Sequence, residues 1–196
     1  MTFVIATGNP RKLEEIRRIL APLGIDAISQ KEAGVFLEPE ENGTTFEENA
    51  LIKAKAVSEA TGLPAIADDS GLCVNALDGR PGLYSARYAG ENATDAEKIA
   101  KLLSEMDGVT DRNAKFVSAI CCFFSADDTF CVRGECFGEI ALSPSGEGGF
   151  GYDPVFTVDG LNKTFASLTG EEKDRVSHRG NSLRALRDAL EKRFNA

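Results

Sequence analysis

The sequence predicts an α/β protein, and three observations indicate this class. Short apolar runs typical of strands alternate with amphipathic stretches of helical periodicity. A length of 196 residues with 42% hydrophobic content suits one domain, or two closely joined lobes, with a substantial core. No internal repeat, low-complexity tract or long linker interrupts the chain. We therefore expect residues 1–196 to form a single domain.

The first half of the chain predicts one strand and three helices, in addition to the apolar runs on either side of Asp68–Gly71. Phe3–Ala6 is a short strand, and a Thr-Gly-Asn-Pro turn leads from it into an amphipathic helix from about Arg11 to Pro22. A second helix begins near Thr45 and continues to Gly62, and a third extends from about Thr94 to Met106. Both open with a threonine and a glutamate at capping-box spacing.

The second half predicts a β-hairpin, a glycine-rich loop and a final helix. The β-rich runs Ala114–Ser125 and Thr129–Phe137 are joined by a short Ala-Asp-Asp turn. A glycine-rich loop over 146–154 precedes a strand at Val155–Thr157. A basic amphipathic helix from about Asn181 to Phe194 ends the chain.

Composition restricts the classes of partner and compartment. A net charge of −9 argues against long nucleic acids and anionic membranes, whose binding needs basic surface, but it does not exclude a small polyanion. The five cysteines are odd in number and lack C-x-x-C spacing, which predicts buried thiols of a reducing compartment. The N-terminal apolar stretch is too short for a signal peptide or a membrane span. We expect a soluble, cytoplasmic protein.

The segment Asp68-Asp69-Ser70-Gly71 separates two apolar runs, Leu63–Ala67 and Leu72–Val74. Adjacent carboxylates at the edge of a buried strand are costly unless a cation neutralises them, and Mg²⁺ prefers carboxylate oxygens. The alternative is a plain turn, in which aspartate and serine cap the chain and glycine supplies positive φ.

The segment from Thr7 to Lys12 lies where a strand gives way to a helix N-terminus. Backbone N–H groups and the helix dipole favour an anion there, and Lys12 adds a full positive charge. The spacing is not that of a Walker A loop. The alternative is an ordinary strand-to-helix turn with a surface lysine.

The acidic loop Glu38–Gly43 precedes the helix that carries Lys53. A carboxylate of this loop could complete a metal site with the aspartates, and Lys53 could face the same phosphates. A solvated charge run and an exposed lysine are the alternative.

His178 is the only histidine and stands next to Ser177 and Arg179. This cluster offers hydrogen-bond donors that match keto oxygens on a base edge, and Phe150 could stack on the base. Asp153 could orient one of the donors. A surface or core histidine without a special role is the alternative.

Together these segments resemble the inosine triphosphate pyrophosphatase family, which hydrolyses non-canonical purine nucleoside triphosphates. The matching blocks are ATGNPRK, FEENALIKA, PAIADDSGL with RPGLYSARYAG, GGFGYDPVF and EEKDRVSHRG, in the family's order, from about Phe3 to Leu190. The resemblance implies a mixed, elongated central sheet with flanking helices, two lobes with an active-site cleft between them, and a homodimer. It implies that ITP, dITP or XTP is converted to the monophosphate and pyrophosphate, which cleanses the nucleotide pool.

The resemblance also implies roles for individual residues. Asp69 would be the proton acceptor and a Mg²⁺ ligand, Glu41 or Glu40 would be the second ligand, and Ser70 would touch the substrate. The residues implied to bind the triphosphate are Thr7, Gly8, Asn9, Pro10, Arg11, Lys12 and Lys53. The residues implied to form the nucleoside pocket are Phe150, Gly151, Tyr152, Asp153, Lys173, His178 and Arg179.

Three alternatives compete with this hypothesis. A plain structural or interaction domain would leave the five charged clusters without a purpose. A phosphatase or NTPase that cleaves the γ-phosphate would release orthophosphate, but its expected Walker loop is missing. A non-hydrolytic nucleotide-binding regulator would not need a base beside a metal, which Asp69 would supply.

Overall fold

A computed structural model describes residues 1–194, apart from the side chain of Arg11. The predicted contact of that side chain with substrate therefore lies outside the described residues. The strands are β1 (Thr2–Ile5), β2 (Asp26–Ser29), β3 (Ala65–Val74), β4 (Asn113–Ser125), β5 (Asp128–Ile140) and β6 (Phe156–Val158). The helices are α1 (Pro10–Leu20), α2 (Phe46–Thr61), α3 (Asp95–Glu105), α4 (Gly170–Val176) and α5 (His178–Phe194).

The six strands form one mixed sheet in the order β2-β1-β3-β4-β5-β6. β1 runs parallel to both neighbours, with Phe3 opposite Ala27 of β2 and Val4 opposite Ala65 of β3. β5 and β6 are antiparallel. The predicted mixed α/β class with flanking helices is confirmed.

The chain divides into two compact units, as expected for a two-lobed protein. The first contains Met1–Asp69, Ser118–Gly134 and the chain from Ser182 on, and the second contains Ser70–Val117 and Glu135–Asn181. The expected cleft between lobes and the assignment of the whole chain to one domain stay predictions.

The core of the first unit lies on both sides of β1, because successive side chains of a strand point to opposite faces. Phe3 and Ile5 pack in a cluster with residues of α1 and α5. Val4 packs in a second cluster with Ala54 and Val57 of α2. β1 is therefore buried on both faces, which explains why its sequence is continuously apolar.

The core of the second unit is built around aromatic side chains. Phe116, Phe156 and Phe165 lie in one buried cluster with Leu102 of α3. Phe116 meets Phe156 edge-on, with ring centroids 4.8 Å apart. This cluster supports the segments that carry the predicted nucleoside pocket.

The largest difference from the predicted elements is in β3. Asp68-Asp69-Ser70-Gly71 lies inside one continuous strand, so the turn interpretation is wrong. β2 and α4 were not predicted, because β2 has only four residues and α4 has seven residues, none of them buried. α5 begins at His178, whereas the sequence predicts a start near Asn181.

The cysteines differ in part from the prediction of five thiols. Cys121 of β4 and Cys131 of β5 form a disulfide, so that prediction is wrong for these two. The physical reason is the hairpin, which places β4 and β5 side by side. Cys73, Cys122 and Cys136 are thiols, and burial raises the pKa of Cys136 to about 11.

Within residues 1–194, every helix is too short or too polar to cross a bilayer.

Candidate active site

The β1–α1 turn holds the predicted phosphate-binding segment at the start of a helix. Thr7 Oγ1 accepts a hydrogen bond from the backbone N–H of Asn9 (3.1 Å), and the Asn9 carbonyl accepts from the N–H of Leu13 (3.2 Å). Pro10 is the first residue of α1, a position that needs no N–H donor. The first N–H groups of a helix have no partner within the helix, and the dipole makes this end favourable for an anion. The turn therefore has the backbone geometry of a phosphate site.

Lys12 lies in the first turns of α1 and its Nζ is 2.6 Å from Asp68 Oδ2. The Lys12 side chain is mostly buried and that of Asp68 is almost completely so. A lysine in this environment is held in place by its ion pair rather than moving freely in solvent. The interpretation of Lys12 as an ordinary surface lysine is therefore wrong.

Lys53 of α2 contacts two carboxylates at once. Its Nζ is 3.0 Å from Glu41 Oε1 and 3.6 Å from Asp69 Oδ1, and its side chain is only 16% exposed. Asn49, one helical turn earlier on the same face of α2, donates from Nδ2 to Asp69 Oδ2 at 3.3 Å. The structure thus brings Glu41, Lys53 and Asp69 together, and the interpretation of Lys53 as an exposed lysine is wrong.

The two adjacent aspartates do not share one cation. Neighbouring residues of a strand point to opposite faces, so Asp68 reaches Lys12 whereas Asp69 reaches Lys53. Asp69 shares its cation with a second carboxylate, that of Glu41. Glu40, the other candidate ligand, is exposed.

A cavity of about 440 Å³ lies within the first unit beside Lys12, Lys53 and Asp68. Its lining includes Thr7, Gly8, Asn9, Lys12, Glu41, Lys53 and Asp68. The volume is in the range of small-molecule sites, roughly 300–1,000 Å³. Two lysines and a helix N-terminus supply positive charge at this cavity, and the carboxylates of Glu38, Glu41 and Asp68 line it as well.

The donor set fits a magnesium ion. Glu41 and Asp69 place hard carboxylate oxygens around a single ammonium group, at a position where a cation is required. No cluster of three or more His, Cys, Asp or Glu side chains arranged to hold a metal is found in residues 1–194. One or two carboxylates, with water and substrate phosphates completing the shell, is the usual arrangement for Mg²⁺.

In the second unit, Asp153 folds the glycine-rich loop into a tight turn. Its Oδ2 accepts hydrogen bonds from the backbone N–H of Phe150 (2.9 Å) and from Lys173 Nζ (2.5 Å), and its side chain is buried. Gly149 has φ +78°, and a Cβ there would collide with the Asp153 carboxylate. Position 149 therefore requires glycine for two reasons, the close approach of the Asp153 carboxylate and the positive φ.

Phe150 is left partly exposed by this turn, with 44% of its surface accessible. Lys173 Nζ lies 5.1 Å from the centroid of its ring, and Arg179 Cζ lies 5.8 Å from it. The structure therefore brings Phe150, Asp153, Lys173 and Arg179 together, an aromatic face surrounded by donors.

The other predicted residues of this unit occupy different environments. His178 is buried and stacks on Phe116, with ring centroids 4.7 Å apart and planes 13° apart. The hydroxyl of Tyr152 donates to the Ser85 carbonyl (3.0 Å). The backbone of Tyr152, rather than its hydroxyl, would therefore make any contact with substrate. Burial raises the pKa of that hydroxyl. Ser70 is half-buried in β3.

Sequence reasoning missed two residues that contact the predicted site. Asn49 bonds to Asp69, and Asp95 of α3 accepts a hydrogen bond from the backbone N–H of Gly151. Asn49 lies four residues before Lys53, a spacing that could have placed it on the same helix face. Asp95 follows a threonine N-cap, where acidic residues are common, so it gave no separate signal.

Comparisons with known proteins point to one family. Residues 3–189 match the model of the Ham1 family. The dITP/XTP pyrophosphatase of Yersinia pestis is 50% identical over 191 residues, which cover 95% of this chain and 96% of that protein. The dITP/XTP pyrophosphatase of Bacillus subtilis is 48% identical over 190 residues, 96% of each chain.

Solved structures share the fold over nearly the whole chain. A HAM1 protein from Coxiella burnetii, 43% identical, gives a TM-score of 0.94 and covers 98% of this chain and 99% of its own. The Ham1 protein of Staphylococcus aureus, 44% identical, gives 0.93 with 98% and 100% coverage. These similarities confirm the resemblance drawn from the five sequence blocks.

Proposed function

Because this chain belongs to the Ham1 family, we propose that it hydrolyses non-canonical purine nucleoside triphosphates, namely ITP, dITP and XTP, to the monophosphate and pyrophosphate. The observation that carries the proposal is the arrangement of Glu41, Lys53 and Asp69 beside the β1–α1 turn. It combines carboxylates for a metal, lysines for phosphate charge and a helix N-terminus in one unit. Such a combination is what cleavage of a phosphoanhydride needs.

In this mechanism, the first unit binds the triphosphate chain. The backbone N–H groups of Gly8 and Arg11 hold phosphate oxygens, and Lys12 and Lys53 offset their charge. Glu41 and Asp69 would hold Mg²⁺, which supplies further neutralisation of the phosphate oxygens. Lys53, which neutralises the two carboxylates in the described structure, is then available to the substrate.

Asp69 acts as the proton acceptor. It takes a proton from a water molecule that attacks the α-phosphorus in line with the leaving pyrophosphate, and no covalent intermediate forms. Asn49 orients the Asp69 carboxylate through its hydrogen bond to Oδ2. The same lysines stabilise the negative charge that develops on the leaving group.

The second unit binds the nucleoside. Phe150 stacks on the purine, Ser70 contacts the substrate, and Arg179 and His178 donate to the 6-keto oxygen. Adenine presents a 6-amino donor at this position, and two donors facing each other in a dry pocket cost about 1–3 kcal/mol. Keto purines are therefore favoured by roughly 5- to 150-fold over adenine.

We also infer a homodimer and a cytoplasmic location. The dimer is supported by the family resemblance. The location is supported by the three thiols at Cys73, Cys122 and Cys136, whereas the Cys121–Cys131 disulfide counts against a reducing compartment. Light scattering coupled to size-exclusion chromatography tests the dimer, because a 21.0 kDa mass would identify a monomer. The net charge of −9 supports small-molecule partners and argues against nucleic acid or membrane partners.

The proposed function is tested by identifying the phosphorus-containing product. The protein is incubated with Mg²⁺ and with ITP, dITP, XTP, GTP or ATP, and ³¹P NMR follows the products, with Asp69→Asn as the control. We expect pyrophosphate and monophosphate from ITP, dITP and XTP. Orthophosphate as the first product would indicate γ-phosphate cleavage, and binding without turnover would indicate a regulator.

A further inference from the structure

We propose that Asp95 is a positioning residue that holds Phe150 in place for the purine ring. This inference rests on the proposed function, because it assigns Phe150 to the base. Asp95 lies on α3, far from the glycine-rich loop in sequence. Its Oδ2 accepts a hydrogen bond of 2.6 Å from the backbone N–H of Gly151, the residue after Phe150.

Two glycines flank Phe150 in the loop. Gly149 and Gly151 both have positive φ, at +78° and +60°, and glycine loses the most conformational freedom when it is ordered. The N–H groups of two successive residues, Phe150 and Gly151, are accepted by the carboxylates of Asp153 and Asp95. The two peptide groups on either side of the Phe150 Cα therefore each donate to a carboxylate, which fixes the backbone that carries the ring.

Asp95 is itself held in position from two directions. It is the first residue of α3, after the capping box formed by Thr94 and Glu97. Its other oxygen, Oδ1, is 2.7 Å from Lys98 Nζ, one turn along the same helix. The carboxylate is therefore fixed by the helix before the loop contacts it, and charged acceptors make the stronger hydrogen bonds.

A role in positioning predicts a specific change in kinetics. Stacking of Phe150 on the base operates in the substrate complex and in the transition state alike, so its loss raises KM and leaves kcat nearly unchanged. We expect Asp95→Ala to raise KM for ITP by about tenfold, within the range for loss of a charged hydrogen bond. Asp95→Asn keeps an oxygen that can accept the Gly151 N–H, so its KM stays within about threefold of the wild type.

Two further variants separate positioning from a general structural effect. Glu171→Ala removes an exposed first-turn carboxylate of α4 that pairs with Arg175, and we expect no change in KM. In a Phe150→Ala background, Asp95→Ala should cause little additional loss, because the ring it positions is already absent. Amide hydrogen exchange of residues 149–153 is measured in the ligand-free protein by NMR, and Asp95→Ala should accelerate it while Glu171→Ala does not.

The outcomes distinguish this inference from the proposed function. If the wild type hydrolyses ITP but Asp95→Ala leaves KM and loop exchange unchanged, or if its effect is undiminished without Phe150, the role of Asp95 is overturned and the function stands. If the wild type hydrolyses no purine triphosphate, the proposed function fails, and the base-positioning role of Asp95 fails with it.

Discussion

Replacing Lys53 by methionine tests whether Glu41 and Asp69 form a cation site. Lys53 Nζ lies 3.0 Å and 3.6 Å from the two carboxylates, and at an effective dielectric constant of about 20 its attraction to each is about 5 kcal/mol. Most of this is offset by the cost of burying three charges. Removal of one partner from a fully buried pair costs about 3–5 kcal/mol. Because the Glu41 side chain is 32% exposed, solvent screening reduces the loss, and we expect about 2 kcal/mol of unfolding free energy.

The assay is denaturation in excess chelator and in Mg²⁺. In chelator, a loss of about 2 kcal/mol corresponds to a fall in Tm of about 4–8 °C for a protein of this size. In about 10 mM Mg²⁺, the ion can take the place of the ammonium group, and a Kd of about 1 mM would restore about 1.4 kcal/mol. The matched control is Lys55→Met on the same helix, where the ion pair with Glu59 spans 3.8 Å and the lysine side chain is 55% exposed. This control should lose less than about 0.5 kcal/mol in either condition.

Two results would refute the reasoning. A Lys53→Met protein whose unfolding free energy is the same in chelator and in Mg²⁺ would show that Glu41 and Asp69 do not bind the ion. A loss no larger than that of Lys55→Met would show that the two carboxylates do not depend on Lys53 for neutralisation.

Three other predictions concern catalysis, base selection and pH. Asp69→Asn should lower kcat by at least about 10²–10⁴-fold while inosine monophosphate still binds, and a variant that keeps more than about a tenth of the rate would contradict the assigned base. Arg179→Ala should lower kcat/KM for ITP and XTP far more than for ATP. Phe150→Ala should weaken the binding of every purine by the about 1–3 kcal/mol that stacking contributes. Equal losses on every substrate in Arg179→Ala would exclude Arg179 as the base-reading residue. Hydrogen bonds from threonine N–H groups lower the pKa values of Glu97 and Glu172 below 4.5. The stability they contribute is therefore present above pH 4.5 and lost as pH falls through the folded pKa values, so urea unfolding of Glu97→Gln should depend less on pH between about pH 5 and pH 3 than that of the wild type.

The helices were the most predictable part of the fold, because their signals are local. α2 begins after Thr45 and ends before Gly62, as the capping threonine and the C-terminal glycine predict, since both residues satisfy backbone groups within one turn. β3 was less predictable. Aspartate and glycine, the residue types at positions 68 and 71, are depleted in strands. Asp68 is neutralised by Lys12, which is distant in sequence. Tertiary ion pairs therefore overrode the local preference for a turn.

The sequence names the candidate site residues but not their arrangement. The sequence placed Lys12, Lys53 and Asp69 in one site, yet it could not show which lysine contacts which carboxylate. That depends on how the side chains of β3 alternate between the two faces of the strand. Asp95 could not be found, since its partner is a backbone N–H rather than a side chain. A hydrogen bond to the backbone of a remote loop leaves no residue-type signature.

The burial of β1 on both faces has a consequence for the dynamics of the protein. The strand is hydrogen-bonded on both edges and packed on both sides, so it belongs to the part of the chain that opens only on global unfolding. The turn that follows it starts from a rigid base and has little conformational entropy left to lose when it receives an anion. Inorganic tripolyphosphate, which has no base or sugar, should therefore bind this turn and compete equally with every nucleoside triphosphate.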